Sequence, residues 1–444
     1  MDSFASHGIE PVPPEARRLS FWDFAVLWGD LGVGLLVLLA GSFLVPALSL
    51  GQALAAIVVG SVIGVLLLAL TAVIGSQTGA PTMVCLRPAL GLRGSYAPTA
   101  LNVIQLLGWT VFELVIMGHA ANSVSGRAFG FKAYWLWLTL FALVVVGMGI
   151  WGPLAVVRRW LAKFAVWVVL LTTAWLTWVL LSRHDFGALL AQPGTGGMSF
   201  WAAVDIVIAM PISWLPLVCD YSRFARRTAP AFWGTALGYL VANVWFYSLG
   251  ALILLAARVT QEPKGFVEAV ALLAGPLAIL ILLADETDEA WADLYSCAVS
   301  IQNAFPGAPL RALVLVLGAA CFFAALALDI TQYEGFLLLI GSVFVPLFGV
   351  LAVDYFVVRG TYVPEELLRP YGLYWHRGGV NWLGIVAWGL GILIYRWAAG
   401  SFAGVGLAGL PTFGASIPSL IVAAVAYLLL VRLAPRVLEA RVPR

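Results

Sequence analysis

The sequence predicts an all-α membrane protein of twelve transmembrane helices, built as two five-helix halves in inverted repeat with two further helices at the C-terminus. Three observations predict it. The chain of 444 residues is 62% apolar and only 10% charged, with a mean hydropathy of +0.99, a composition that cannot make a water-facing surface. Apolar stretches of roughly 17 to 25 residues recur along its whole length, each long enough to cross about 30 Å of hydrocarbon as a helix. Finally, helix-weakening Gly and Pro residues gather in the first and sixth of these stretches, five spans apart. That is the expected mark of two related halves that each open on an interrupted helix, ordinary packing of Gly and Pro in transmembrane helices being the plainer alternative.

In chain order the spans fall near 22–48, 52–75, 97–124, 134–151, 160–182, 199–222, 231–257, 267–303, 311–330, 334–358, 381–398 and 412–433. The leader "MDSFASHGIEPVPPEARRLS" has no apolar core or cleavage site, so residues 1–20 are expected to be a cytoplasmic tail rather than a signal peptide. Span one, "FWDFAVLWGDLGVGLLVLLAGSFLVP", carries Gly29, Gly32 and Gly34 with Asp30 near its middle, where low helix propensity can expose carbonyls. Span three places Gln105, Trp109 and Glu113 at i, i+4 and i+8 on one face, with Asn102 beside them. Glu113 alone would cost about 2.5 to 3.5 kcal/mol at mid-bilayer, so this face needs a partner, a proton or water. An indole one turn from a carboxylate can stack on a flat heterocycle and bind its N–H edge. The plainer alternative is a Trp packed between helices and a Glu bonded to a neighbouring one.

Span six, "AAVDIVIAMPISWLPLVCDYSRF", contains Pro211 and Pro216, each of which removes an amide donor and pushes on the carbonyl four residues back. Span eight holds the densest charge in the chain, "LLADETDEAWADLYS". On a helix Asp285, Glu286, Asp288, Glu289 and Asp293 share an arc of about 160°, leaving the other face to Trp291, Leu294 and small apolar residues. Isolated in hydrocarbon, five carboxylates would cost on the order of 12 to 17 kcal/mol, so most must be protonated, paired, bound to a cation or in an aqueous cavity. Alternatively span eight stops near Ala284 and the acids form a loop. That reading strands "LYSCAVSIQNAF" and moves Arg311 to the side where basic residues are scarce. The connections are too short for a soluble domain. One integral domain is therefore expected over 21–435, with repeats at about 21–182 and 199–358, helices eleven and twelve at about 381–433, and a tail at 436–444.

Basic residues near helix ends stay on the cytoplasmic side. With both termini inside, only Arg127, Lys132, Arg183, Arg258, Lys264 and Arg396 fall outside, leaving 18 of the 24 Lys and Arg on the inner side. The expected location is a bacterial inner membrane. Cys85, Cys219, Cys297 and Cys321 all fall within spans, so disulfides are not expected. A net charge of +2 reflects loop arginines meeting anionic headgroups and gives no sign of nucleic acid. His119 reads as a packing residue, and His7, His184 and His376 lie in tails or loops without metal-ligand spacing.

Several segments together carry a resemblance: "PVPPEARR", "SQTGAPTMVCLRPALGLRGS", "NVIQLLGW", "DYSRFARR", "LYSCAVSIQN" and "IGSVFVPLFGVLAVDYFVVRGTY". In this order they resemble the nucleobase:cation symporters, the purine and cytosine permeases, over nearly the full length. The stretch "MPISWLPL" is most similar to hydroxymethylpyrimidine transporters of thiamin-precursor uptake. The resemblance implies the leucine-transporter fold, alternating access, and a flat ring held between aromatics of spans three and six. Trp109 matches the first aromatic, and Glu113 the position one turn later where an amide commonly bonds the base. The span-six aromatic aligns with Pro211, which leaves Trp214 as the candidate for the second face, with Ser213 beside it and Gln105 and Asp293 as further ligands. The family's sodium site implies carbonyls of Gly29 and Gly32 together with span-eight hydroxyls, which here align with Asp288 and Glu289. Asp285 and those two acids are the candidates for an Na+ or proton site.

The expected function is therefore secondary active symport of a small planar nucleobase-like compound: a pyrimidine such as hydroxymethylpyrimidine or cytosine, or a related purine or hydantoin. Coupling is to Na+ or H+, without another cofactor or covalent chemistry, in a chain working as a monomer in the lipid bilayer. Two alternatives belong to other classes. Asp285-x-x-Asp288 with its neighbours is the kind of cluster an intramembrane Mg-dependent prenyltransferase uses, although such an enzyme needs a second acidic cluster. A passive channel for small polar solutes would equilibrate its substrate without accumulating it.

Overall fold

The structure, a computed structural model, describes residues 8–151, 166–257, 265–266, 269–270, 273, 275–327, 333–400 and 414–434. The beginning of span five, Arg258, Lys264 and the side chain of Asp285 lie outside the described residues.

Helices occupy all twelve expected positions. Span one is Phe21–Asp30 and Leu35–Ser42, bent by 59° at the break. Spans two to five are Leu50–Thr78, Tyr96–Phe129, Tyr134–Trp151 and Val166–Arg183. Span six is Phe200–Ser213 followed, after its own break, by Val218–Ser222. Spans seven to nine are Thr228–Ala257, Pro276–Ala304 and Leu310–Ala325. Span ten is Tyr333–Ala352, widened into a π-turn over Val353–Arg359, and spans eleven and twelve are Trp382–Ala398 and Ser416–Leu433. The chain has the leucine-transporter-like arrangement of five plus five helices with two more at the end.

Local chemistry sets the ends. Ser20 and Asp23 cap the start of span one reciprocally, Ser49 and Gln52 do the same for span two, and Ser199 caps span six. Span two stops at Gly79, whose φ of 72° suits a residue without Cβ. Large apolar side chains such as Leu143, Leu171 and Val316 point outward, as they must where the solvent is lipid.

Spans one, two, six and seven pack together, and spans three, four, eight and nine form a second group against them. Glycines let the first group close backbone to backbone. Gly238 of span seven meets Ala25 of span one, Gly250 meets the Leu38 carbonyl, and Gly64 of span two meets Pro211 of span six. A methyl at Gly250 would overlap the Leu38 oxygen, with rigid helix on both sides. Gly250→Ala is therefore expected to lower stability by about 1–3 kcal/mol or more, read as an earlier melt of purified protein. Gly389→Ala, at a site open on all sides, should leave the melt in place.

Span eight runs unbroken through the acidic stretch, with Glu286, Asp288, Glu289 and Asp293 all buried. The loop alternative thus fails: neighbouring helices, not loop solvent, surround these groups. At the cytoplasmic end of the expected orientation, two of the segments that carry the resemblance touch. Asp220 accepts the Thr82 N–H at 3.0 Å, and Thr82 Oγ1 accepts the Cys219 N–H at 3.0 Å. Asp354 joins Arg359 at 3.1 Å, Tyr362 at 2.7 Å and Tyr427 at 2.6 Å, tying spans ten and twelve together.

Candidate functional site

Each helix break frees backbone groups that a continuous helix would pair, and span eight and span three supply the partners. At the restart of span one, Glu286 Oε1 accepts the N–H of Leu35 and, at 3.3 Å, that of Leu36. An acidic oxygen is well placed there, facing unpaired amides and the positive end of the helix dipole. Gly34 makes the approach possible: a Cβ on it would stand 2.8 Å from Glu286 Oε1 and 3.1 Å from Glu289 Oε1. At the span-six break, Gln105 Nε2 donates to the released Ser213 carbonyl at 2.9 Å and to Asn102 Oδ1 at 2.8 Å. Asn102 in turn donates to Ser300 Oγ of span eight at 2.8 Å.

A small pocket lies between the breaks. Trp109 and Glu113 of span three, Ser213 and Trp214 of span six, and Glu289 and Asp293 of span eight line it, with apolar residues of span one closing it. It is pinched, with room for about one water molecule, so a ring enters only as the helices part. Trp109 is braced edge-on by Tyr333 at 5.6 Å and Phe336 at 5.3 Å. Tyr333 also donates to the Leu36 carbonyl at 3.0 Å, linking span ten to the restarted half of span one. Trp214 meets Trp28 edge-on at 6.1 Å. The indole N–H of Trp109, Glu113 Oε2 and Glu286 Oε2 are buried with no hydrogen-bond partner among the described residues. Among the described residues no Lys, Arg or His lines the pocket.

Of the residues expected from sequence, Trp109, Glu113, Ser213, Trp214, Asp293 and Glu289 come together. Gln105 stands behind the wall instead, because the Ser213 carbonyl and Asn102 occupy its amide N–H groups. Pro211 packs on Gly64, so Trp214 is the span-six aromatic at the pocket. Gly29 lies against Gly238, and Gly32 against Ala242 and Tyr239, so both turn their Cα side to span seven. Asp288 is buried but off the pocket wall, about 160° around the helix from Glu286. Among the described residues no three His, Cys, Asp or Glu converge as a metal-binding group. His119 stacks on Tyr134 at 4.6 Å, a packing contact.

Two residues went unassigned in the sequence reading. Glu286 is the acid that reaches the break. Its spacing of three from Glu289 and seven from Asp293 marks it as sharing their face. Asp30 is buried with neither oxygen hydrogen-bonded among the described residues, and it borders a groove between spans one, five and seven. An acid inside an interrupted apolar helix was the available signal for it.

Comparison with known proteins fits this architecture. The chain is 25% identical to the hydantoin permease of Microbacterium maritypicum, over 86% of this chain and 82% of that one. Its fold matches Mhp1, a nucleobase-cation-symport-1 family transporter, closed with bromovinylhydantoin bound, with a TM-score of 0.84 at 22% identity over 98% and 96% of the two chains. The inward-facing conformation of Mhp1 matches with a TM-score of 0.79, also at 22% identity, over 97% and 94%. Residues 11–416 match the family described as permease for cytosine/purines, uracil, thiamine, allantoin. The chain belongs to that permease family, and is a multi-pass membrane transporter, not an enzyme.

Proposed function

We propose that the chain is a symporter importing a small planar nucleobase-like compound, a pyrimidine such as hydroxymethylpyrimidine or cytosine or a related purine or hydantoin, with Na+ or H+. The observation that carries this reading is one pocket between two broken helices, lined by an indole from span three, an indole from span six and carboxyl-bearing side chains of spans three and eight. Trp109 and Trp214 hold the ring faces, Glu113 and Asp293 bind its edge, Ser213 adds a hydroxyl, and Gln105 fixes the span-six break. The coupling cation binds where spans one and eight meet, among the carbonyls of Gly29 and Gly32 and the acids Asp285, Asp288 and Glu289. The orphan oxygen of Glu286 beside that junction suits a hard cation or a proton. The protein lies in a bacterial inner membrane as a monomer, with both termini in the cytoplasm and two repeats at about 21–182 and 199–358.

The mechanism is linkage between two ligands. A cation that binds the junction better in the outward state favours the arrangement that accepts the ring, and the ring's contacts then favour closure. An ion with equal affinity for both states would drive nothing. The test is uptake into reconstituted vesicles of cytosine, uracil, hypoxanthine, hydantoin and hydroxymethylpyrimidine, with Na+ and proton gradients applied separately. At least one ring should accumulate above equilibrium and lose that accumulation when its gradient is dissipated. Equilibration without accumulation would identify a passive pore, and no uptake of any ring would remove the nucleobase reading.

A further inference from the structure

The pocket wall is unusual in what it can offer a ligand. Glu113 and Asp293 line it, and no basic side chain among the described residues shares the wall. A cationic ring favours the ionised form of the acids it faces, and an ionised carboxylate only accepts hydrogen bonds. A ring such as uracil or hydantoin turns carbonyl oxygens as well as N–H groups to its surroundings, so part of its edge would meet like partial charge. A ring bearing adjacent N–H donors and positive charge meets none. The second observation lies across the wall: Trp109 and Trp214 both line the pocket, and indole faces attract planar cations, more strongly when water is excluded. The third is the unpartnered Glu113 Oε2, in a side chain 1% exposed, which needs a donor to complete it.

We propose that the pocket takes its substrate as a planar cation, an amidinium-type aminoheterocycle such as an aminopyrimidinium, with its N–H edge on Glu113 and Asp293 and its faces on Trp109 and Trp214. This rests on the reading of the pocket as the substrate site. The positive charge of the substrate then faces Glu113 and Asp293, and these two acids select for amino rings over oxo rings.

The experiment is equilibrium binding to the purified full-length protein of three probes: a permanently charged N-methyl-4-aminopyrimidinium, cytosine, and uracil. The charged ring should bind at least about tenfold tighter than uracil, the order of one unsatisfied buried polar contact. Glu113→Gln should erase that preference, bringing the ratio of charged-ring to uracil affinity to about one, and Asp293→Asn should shift the ratio the same way. Both variants are checked for a native melt, and the second keeps the test open if the first fails to fold. Uracil binding as tightly as the charged ring, or a preference unchanged in both variants, overturns the proposal while leaving the nucleobase reading standing. Loss of Na+ dependence in Glu113→Gln with the ring preference intact also overturns it, because the acid would then serve the ion. Binding of none of the probes overturns the proposal, and the uptake series with hypoxanthine and hydantoin then decides the nucleobase reading separately.

Discussion

Trp109→Ala is expected to abolish transport, and Trp109→Phe to keep a substantial part of it. Stacking of a base on an aromatic side chain contributes about 1–3 kcal/mol, so truncation to alanine weakens binding by roughly 5- to 150-fold. A second loss adds to this. The indole is wedged against Tyr333 and Phe336, and Tyr333 holds the Leu36 carbonyl at the restart of span one. Removing the ring therefore loosens the link through which span ten senses the broken helix, and a buried Trp→Ala change costs about 3–5 kcal/mol of stability. Phenylalanine keeps a flat face and much of the wedge but has no N–H. Uptake, ligand binding and melting of the two variants separate the contributions. If alanine transports at the native rate, Trp109 is not a substrate contact. If alanine and phenylalanine both melt natively and lose uptake equally, the N–H matters and the face does not.

How far this site was legible follows from which forces a linear sequence displays. Span limits needed only the match between apolar length and bilayer thickness, so Tyr134–Trp151 falls on the boundaries that hydropathy alone suggests. The two breaks were visible because Gly and Pro act locally. The face shared by Trp109 and Glu113 followed from helical periodicity. Partner choice across helices did not. Gln105 looks like a ligand in the sequence because it shares a stripe with Trp109, yet the break in span six frees a carbonyl that captures it. No pattern within span three announces that carbonyl. Similarly, the resemblance pointed to Asp288 and Glu289 for the cation. Which acid meets the break depends on the rotation of span eight against Leu35, and that rotation turns Glu286 to the amides. The segments that carry the resemblance are often structural staples, as at Thr82 with Asp220 and at Asp354 with Tyr427.

Glu286→Ala should be the most damaging single change in span eight. It leaves the Leu35 and Leu36 amides buried without an acceptor, at about 1–3 kcal/mol each. A sum of roughly 2–6 kcal/mol lowers the population of the correctly restarted half-helix by about 30-fold to more than 10,000-fold. Transport should fall accordingly, and the melt should come earlier. Glu286→Gln is the informative companion, because its amide oxygen can still accept both N–H groups while the charge is gone. The helix-end electrostatic contribution it forfeits is only about 0.3–2 kcal/mol, so this variant should fold. Its response to Na+ and to pH then separates two roles for the same carboxyl. Native coupling in the Gln variant makes Glu286 a cap and nothing more. Lost or altered coupling with a native melt shows that the charge which holds the broken helix is also felt by the ion, so cation binding and the shape of span one are a single equilibrium. Should the Ala variant melt and transport as the native protein does, another group must satisfy those amides, and the break would no longer be a place where the ion can act on the fold.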